Sequence, residues 1–133
     1  KVVALATRRM LEKYGLTVNH VTSVEDALAM VDTAKAVSRP PADLVLTDVY
    51  LKGGLTGLEL LEKLRGEYAY GRGDLPVLVM TADDNPAKQA ALLRAGANDL
   101  VHKPVEERLL ITKILFQLRV AQNRRQTQAA SLG

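Results

Sequence analysis

Apolar residues recur at helical spacing over residues 1–14. Val2, Val3, Leu5, Ala6, Met10, Leu11 and Tyr14 stand between Arg8, Arg9, Glu12 and Lys13. The pattern predicts a helix, and Gly15 supplies its stop, since glycine tolerates the left-handed conformation there. Leu16, Val18 and His20 then alternate with Thr17 and Asn19, with Val21 following, which predicts a short strand. Ser23 opens a second helix, with Asp26 three residues on as a shortened capping box. Val24, Ala27, Leu28, Val31 and Ala34 form its apolar stripe, and Pro40-Pro41 closes the segment.

Beyond the prolines the period changes. Leu44-Val45-Leu46 is a nearly unbroken apolar run ending at Thr47-Asp48, as suits a strand buried on both faces of a parallel sheet. Gly53, Gly54 and Gly57 mark a loop, and Leu58, Leu60, Leu61 and Leu64 predict a helix to about Tyr68. After the Gly71-Arg72-Gly73 turn, Leu75 to Met80 predicts another buried strand ending at Thr81, with Pro76 at its start. Asn85-Pro86 is a helix entry, cap followed by first-position proline, and that helix runs to Ala95 and stops at Gly96. Asp99 to His102 predicts a last strand. Lys103-Pro104 precedes a long amphipathic helix from about Glu106 to Gln122 or beyond, whose stripe of Leu109, Leu110, Ile114 and Leu118 faces the core. Gln126 to Gly133 are small and polar and are expected to fray. Strands alternating with helices predict an α/β fold, a doubly wound parallel sheet flanked by helices.

Composition narrows the function classes. The length of 133 residues suits one domain, 47% hydrophobic and 25% charged. A two-domain enzyme and a disordered polymer are excluded. Eighteen basic against fifteen acidic residues give a net charge of +3, too mild to argue for direct nucleic-acid binding. The absence of cysteine excludes disulfides, zinc-thiolate sites and thiol catalysis. Apolar runs fall short of the roughly 20 residues that span a bilayer. Arg8 and Arg9 interrupt the N-terminal run before it makes a secretory signal, so no membrane association and a cytoplasmic location are the expectations. The arginines Arg119, Arg124 and Arg125 are dispersed and read as a solvated face. His20 and His102 lie on predicted strands, unlike a phosphotransfer histidine exposed on a bundle helix.

Open parallel sheets bind ligands at the carboxyl ends of their strands. The polar residues that end the strands here are Asp48, Thr81 and Lys103. A carboxylate can attack phosphorus. A lysine beside it can pair with a phosphoryl oxygen and a hydroxyl can donate to another, since phosphoryl transfer needs positioning and charge neutralisation. A divalent cation would balance the remaining charge, and Mg²⁺ prefers oxygen ligands. A small doubly wound enzyme or flavin-binding protein would instead need a glycine-rich phosphate loop after the first strand, whereas the glycines here follow Asp48.

The segments Asp43 to Asp48, Gly57 to Leu61, Pro76 to Ala82, and Ala95 to Asp99 with Lys103-Pro104 resemble the receiver domain of two-component response regulators. The resemblance runs from about residue 1 to 120. It implies a flavodoxin-like sheet of five strands in the order 2-1-3-4-5, with a receiver over residues 1–122 and a polar tail or the start of a linker over 123–133. It implies that Asp48 is the phosphoacceptor, Thr81 the hydroxyl that senses the phosphoryl group, and Lys103 its charge partner. The bond before Pro104 is implied to be cis. Asp48, the backbone carbonyl of Tyr50 and an acidic pair would hold Mg²⁺ or Mn²⁺. The implied donor is a sensor histidine kinase or a histidine phosphotransfer protein. The implied output runs through the face of the fourth helix, fifth strand and fifth helix, which could also form a homodimer or serve an output domain in a longer parent. Such a domain is a regulatory phosphoacceptor that catalyses only its own phosphorylation and dephosphorylation.

Two departures accompany the resemblance. The family's first strand ends in an acidic pair, and counting back from Gly15 puts that pair before Lys1, with the first strand outside the chain. The competing reading makes Lys1 to Ala6 the first strand itself. Leu100 occupies the position where the family carries a switch tyrosine or phenylalanine. Both departures support an alternative, a pseudo-receiver acting as a phosphate-independent interaction module. Tyr50 and Asp83 stand at positions that tune phosphoryl lifetime in the family.

Overall fold

The computed structural model describes residues 2–21, 23–37, 41–49 and 56–132, with side chains described between residues 8 and 123. The elements are α1 (Val2–Lys13), α2 (Val24–Ala36), β1 (Val45–Asp48), α3 (Gly57–Arg65), β2 (Val77–Thr81), α4 (Pro86–Ala95), β3 (Asp99–His102) and α5 (Glu107–Leu132). Among the described residues the strands form one parallel sheet in the order β1-β2-β3. Val45 is in register with Val77 and Asp48 with Met80; Leu78 pairs with Asp99 and Thr81 with His102.

Alternation along β2 sends side chains to both faces. Val77 and Val79 pack with Val24 and Val31 of α2, Leu60, Leu61 and Leu64 of α3, and Leu92 of α4. Leu78 points the other way, into a cluster with Leu11 of α1, Val101, and Leu110, Ile111 and Ile114 of α5. Helices therefore cover both faces, as the continuous apolar run of a parallel strand requires.

Helix boundaries follow local chemistry. The Ser23 hydroxyl accepts the Asp26 N–H at 3.1 Å, capping α2. Thr56 and Glu59 form a full capping box on α3, a Thr-x-x-Glu signal present in the sequence. α4 has Asn85 as its cap and Pro86 inside it, and Gly96 ends it at φ 122°. α3 stops at Arg65, three residues before the predicted end. The Tyr68 N–H bonds the Lys63 carbonyl and the Tyr70 N–H the Leu64 carbonyl, so the helix's last acceptors are used by a turn with Ala69 at φ 57°.

Three expectations are corrected. Residues 16–21 are not a strand. Leu16 and Val18 pack against the α1/α5 cluster, so the alternation reports burial. A strand also needs a neighbour's ladder, and among the described residues no backbone bond ties 17–21 to one. The described sheet thus holds three of the five implied strands. Residues 2–6 are helical, which overturns the reading of Lys1 to Ala6 as a strand. Finally, α5 runs unbroken to Leu132 across the region expected to fray, where Gln126, Gln128, Ala129, Ala130 and Leu132 are good helix formers.

A single arginine joins the parts at the end of the sheet remote from Asp48. Arg65 Nε donates to the Gly96 carbonyl at 3.0 Å, and one terminal nitrogen donates to the carbonyls of Tyr70, Gly71 and Leu75 at 3.0, 3.1 and 2.8 Å. The other donates to Asn98 Oδ1 at 2.9 Å, an oxygen that also accepts the Val77 N–H at 3.0 Å. Burial, then Arg72, lower the guanidinium pKa to about 10.

At the opposite end Gly57 closes on β1. Its N–H donates to the Val49 carbonyl at 2.7 Å. A Cβ at this position would collide with the Asp48 carbonyl oxygen and lie 3.0 Å from the Asp48 carbonyl carbon.

Two substitutions test these constraints. Arg65→Met should cost about 2–4 kcal/mol in urea unfolding, because several carbonyls lose a charged donor at once. Arg65→Lys should recover less than half, since an ammonium cannot reproduce the fork. Gly57→Ala should destabilise the chain and shift the Asp48 and Val49 amide resonances, because the obstruction is backbone and not a flexible side chain.

Candidate functional site

Parallel pairing brings the carboxyl ends of β1, β2 and β3 to one edge. Asp48 and Thr81 are the last residues of their strands, and Lys103 follows β3 directly. The ladder continues one step past the strands: the Val49 N–H reaches the Met80 carbonyl at 3.3 Å, and the Lys103 N–H reaches the Thr81 carbonyl at 2.9 Å. The backbone therefore delivers all three predicted residues to the same edge.

Lys103 Nζ forms an ion pair with Asp48 Oδ1. The Asp48 side chain is 31% exposed and that of Lys103 42%, so the pair is reachable from solvent. An ion pair this open contributes on the order of 0–1 kcal/mol to stability. Its carboxylate also remains available to a reactant. Thr47, buried behind it, donates its hydroxyl to the Asp48 carbonyl at 2.9 Å.

Thr81 is buried, at 5% exposure, in spite of its hydroxyl. Its Oγ1 accepts the Asp83 N–H at 3.0 Å. With one lone pair so occupied, the hydroxyl proton remains free to be donated. The Asp83 carboxyl is held below the usual carboxylate range, chiefly by the Asn85 N–H and then by Lys88. The two contacts are 2.8 Å and 3.2 Å long.

The other predicted positions fall as follows. The Lys103–Pro104 peptide bond is cis. Leu100 is buried among Val79, Leu92 and Ala97, filling its position with apolar contact alone. Lys113 of α5 holds β3 beside it, donating to Asp99 Oδ2 at 3.0 Å and to the Leu100 carbonyl at 2.8 Å. His20 and His102 are exposed. Tyr50 and the side chains of Arg124 and Arg125 lie outside the described residues. Among the described residues no three acidic or histidine side chains gather into a metal cluster. Asp48 is a hard oxygen donor open to solvent and fits one position of a Mg²⁺ shell, which commonly combines one or two carboxylates with water.

Sequence reasoning found the three edge residues but missed the Asp83 contacts. The Asn85 half carries a recognisable turn signal, whereas the Thr81 half is a backbone N–H with no signature in residue type. No helix among the described residues is long and apolar enough to cross a membrane.

Comparison with known proteins agrees with the geometry. Residues 1–115 match the response regulator receiver domain family. The sensory transduction protein RegX3 of Mycobacterium tuberculosis is 36% identical over 110 residues, covering 83% of this chain and 43% of that protein. The response regulator MprA of Mycobacterium leprae is 37% identical over 97 residues, covering 73% of this chain and 40% of that protein. The chain thus spans less than half the length of these relatives. Among solved structures, a CheY-like response regulator receiver domain protein from Methanospirillum hungatei superimposes with a TM-score of 0.76 at 25% identity, covering 92% of this chain and 90% of that one. NtrX from Brucella abortus shares the fold, with a TM-score of 0.77 at 23% identity over 93% of this chain and 26% of that one. With its strand-end residues gathered at one edge and this similarity along most of its length, the chain belongs to the response regulator receiver domain family of two-component signalling.

Proposed function

We propose that this receiver accepts a phosphoryl group on Asp48 from the phosphohistidine of a sensor histidine kinase or histidine phosphotransfer protein. The observation that carries the reading is the solvent-open Asp48–Lys103 pair at the edge where the buried Thr81 hydroxyl accepts the Asp83 N–H and can donate its own proton. An Asp48 carboxylate oxygen attacks phosphorus, the P–N bond breaks, and its electron pair leaves with the imidazole, which takes a proton from solvent. Lys103 passes from the carboxylate to a phosphoryl oxygen. Thr81 donates its hydroxyl proton to a second one. Each contact is stronger to the charge-rich transferring group than to the resting carboxylate. Mg²⁺ or Mn²⁺, when bound, supplies further charge neutralisation, with Asp48 giving it one oxygen.

The product is a regulatory state. The domain turns over only its own acyl phosphate, in the cytoplasm where histidine kinases draw on ATP. Its output face is α4, β3 and α5, where Leu93, Phe116 and Val120 are exposed, as is Leu109 in spite of its place in the predicted core stripe. That face would meet an output domain or a second copy of the chain. The buried, apolar Leu100 favours the rival reading of a pseudo-receiver that binds partners without phosphate.

Incubation of the full-length protein with Mg²⁺ and acetyl phosphate distinguishes the two. The receiver reading expects one hydroxylamine-labile phosphoryl group per chain by intact mass, absent in Asp48→Asn. Labelling that survives Asp48→Asn overturns the site, and an unlabelled wild-type chain favours the pseudo-receiver. Lys103→Met should slow labelling about 10²-fold. Its urea midpoint should move little, because the pair is exposed.

A further inference from the structure

The connection between β2 and α4 is gathered at one residue, and all of its polar groups are engaged. The Asp83 N–H donates to Thr81 Oγ1 at 3.0 Å, Oδ1 accepts the Asn85 N–H at 2.8 Å, and Oδ2 pairs with Lys88 Nζ at 3.2 Å. The Asp83 carbonyl accepts from Gln89 Nε2 at 2.9 Å. The Asn85 and Lys88 contacts are ordinary: an Asx turn, and opposite charges at a helix start. The Gln89 bond differs in kind. It runs from a side chain inside the helix back across six residues to a carbonyl in the connection. Residues 84–88 are exposed, whereas Gln89 is partly buried, so water competes less for this bond.

Geometry then links two ends through one residue. Gln89 is fixed by its own helix, its N–H bonded to the Asn85 carbonyl at 3.1 Å. Only the φ and ψ of Asp83 separate the N–H that holds Thr81 from the carbonyl that Gln89 holds. Displacing the Thr81 hydroxyl must rotate those angles and strain the Gln89 bond. On the β3 side Leu100 has no polar group with which to take up the same motion.

We propose that Gln89 is a positioning residue for Thr81: its amide fixes Asp83, whose N–H sets the Thr81 hydroxyl, so a displacement of Thr81 is carried into the first turns of α4. Use of this link as a relay rests on the phosphoacceptor reading of Asp48; the link itself does not.

A double-mutant cycle read by amide hydrogen exchange on the whole chain tests the link. Thr81→Val removes the acceptor for the Asp83 N–H and should raise exchange at residues 89–91 about fivefold in the wild-type background. In a Gln89→Glu background it should raise it less than about twofold. Glutamate keeps the shape, loses the donor, and favours a helix start by its charge. A merely structural role for Gln89 therefore predicts added protection there. Gln89→Leu, uncharged, should behave like Gln89→Glu. An undiminished effect of Thr81→Val in either background overturns the proposal. A second arm adds Mg²⁺ and beryllofluoride as a phosphoryl mimic and follows amide resonances. The wild type should respond at Asp48, Thr81 and residues 89–91, and Gln89→Glu at Asp48 and Thr81 only. Equal responses at 89–91 in the two proteins overturn the link. No response in either protein overturns the phosphoacceptor reading, and with it the relay, leaving the exchange cycle to decide the link.

Discussion

β2 is buried on both faces and paired on both sides, and that double burial constrains everything around it. Val77, Leu78 and Val79 leave no surface for water, so helices must close over each face and both neighbouring strands must satisfy its backbone. Both neighbours run parallel to it, each reached through a crossover helix. Parallel strands end together. The edge where Asp48, Thr81 and Lys103 meet is therefore a consequence of burying one apolar run, and the residues themselves need supply only the chemistry.

The two ends of that strand are handled differently. At the carboxyl end the Asp48–Lys103 ion pair is open to solvent, and the fixed bonds gather beside it at Asp83. Among the described residues Thr81 keeps an uncommitted proton there, and Gly57 clears the space behind Asp48. At the amino end the reverse holds. Arg65 and Asn98 are saturated, with Asn98 Nδ2 also donating to the Arg72 carbonyl at 3.1 Å and to Gln117 of α5 at 3.3 Å. The bonds of Arg65 and Asn98 tie down one end of the strand, while the other presents an ion pair open to water.

What could be read from the sequence divides along the same physical line. α4 was legible at both ends because Asn85-Pro86 and Gly96 are side-chain signals for backbone events. β2 was legible because an apolar run of its length between turn residues has few other uses. The edge residues followed from counting strand ends. Arg65 was not legible: four of its five acceptors are backbone carbonyls, which any residue type provides. The Gln89–Asp83 bond was hidden for the same reason. Residues 16–21 misled because alternation reports which side chains face a core, and a strand also requires a partner. The Thr56–Glu59 box is a signal carried by residue type alone, and it fixes the start of α3.

The saturated end has a further property. Burial lowers the Arg65 pKa only to about 10, and every group it hydrogen-bonds is an uncharged carbonyl or amide. The guanidinium therefore stays charged through neutral solution, and the Asp74 carboxylate, which accepts the Gly71 N–H at 2.9 Å, works against the lowering. The strands that end in Asp48 and Thr81 are thus held from their far side by a donor that keeps its charge well past neutral pH.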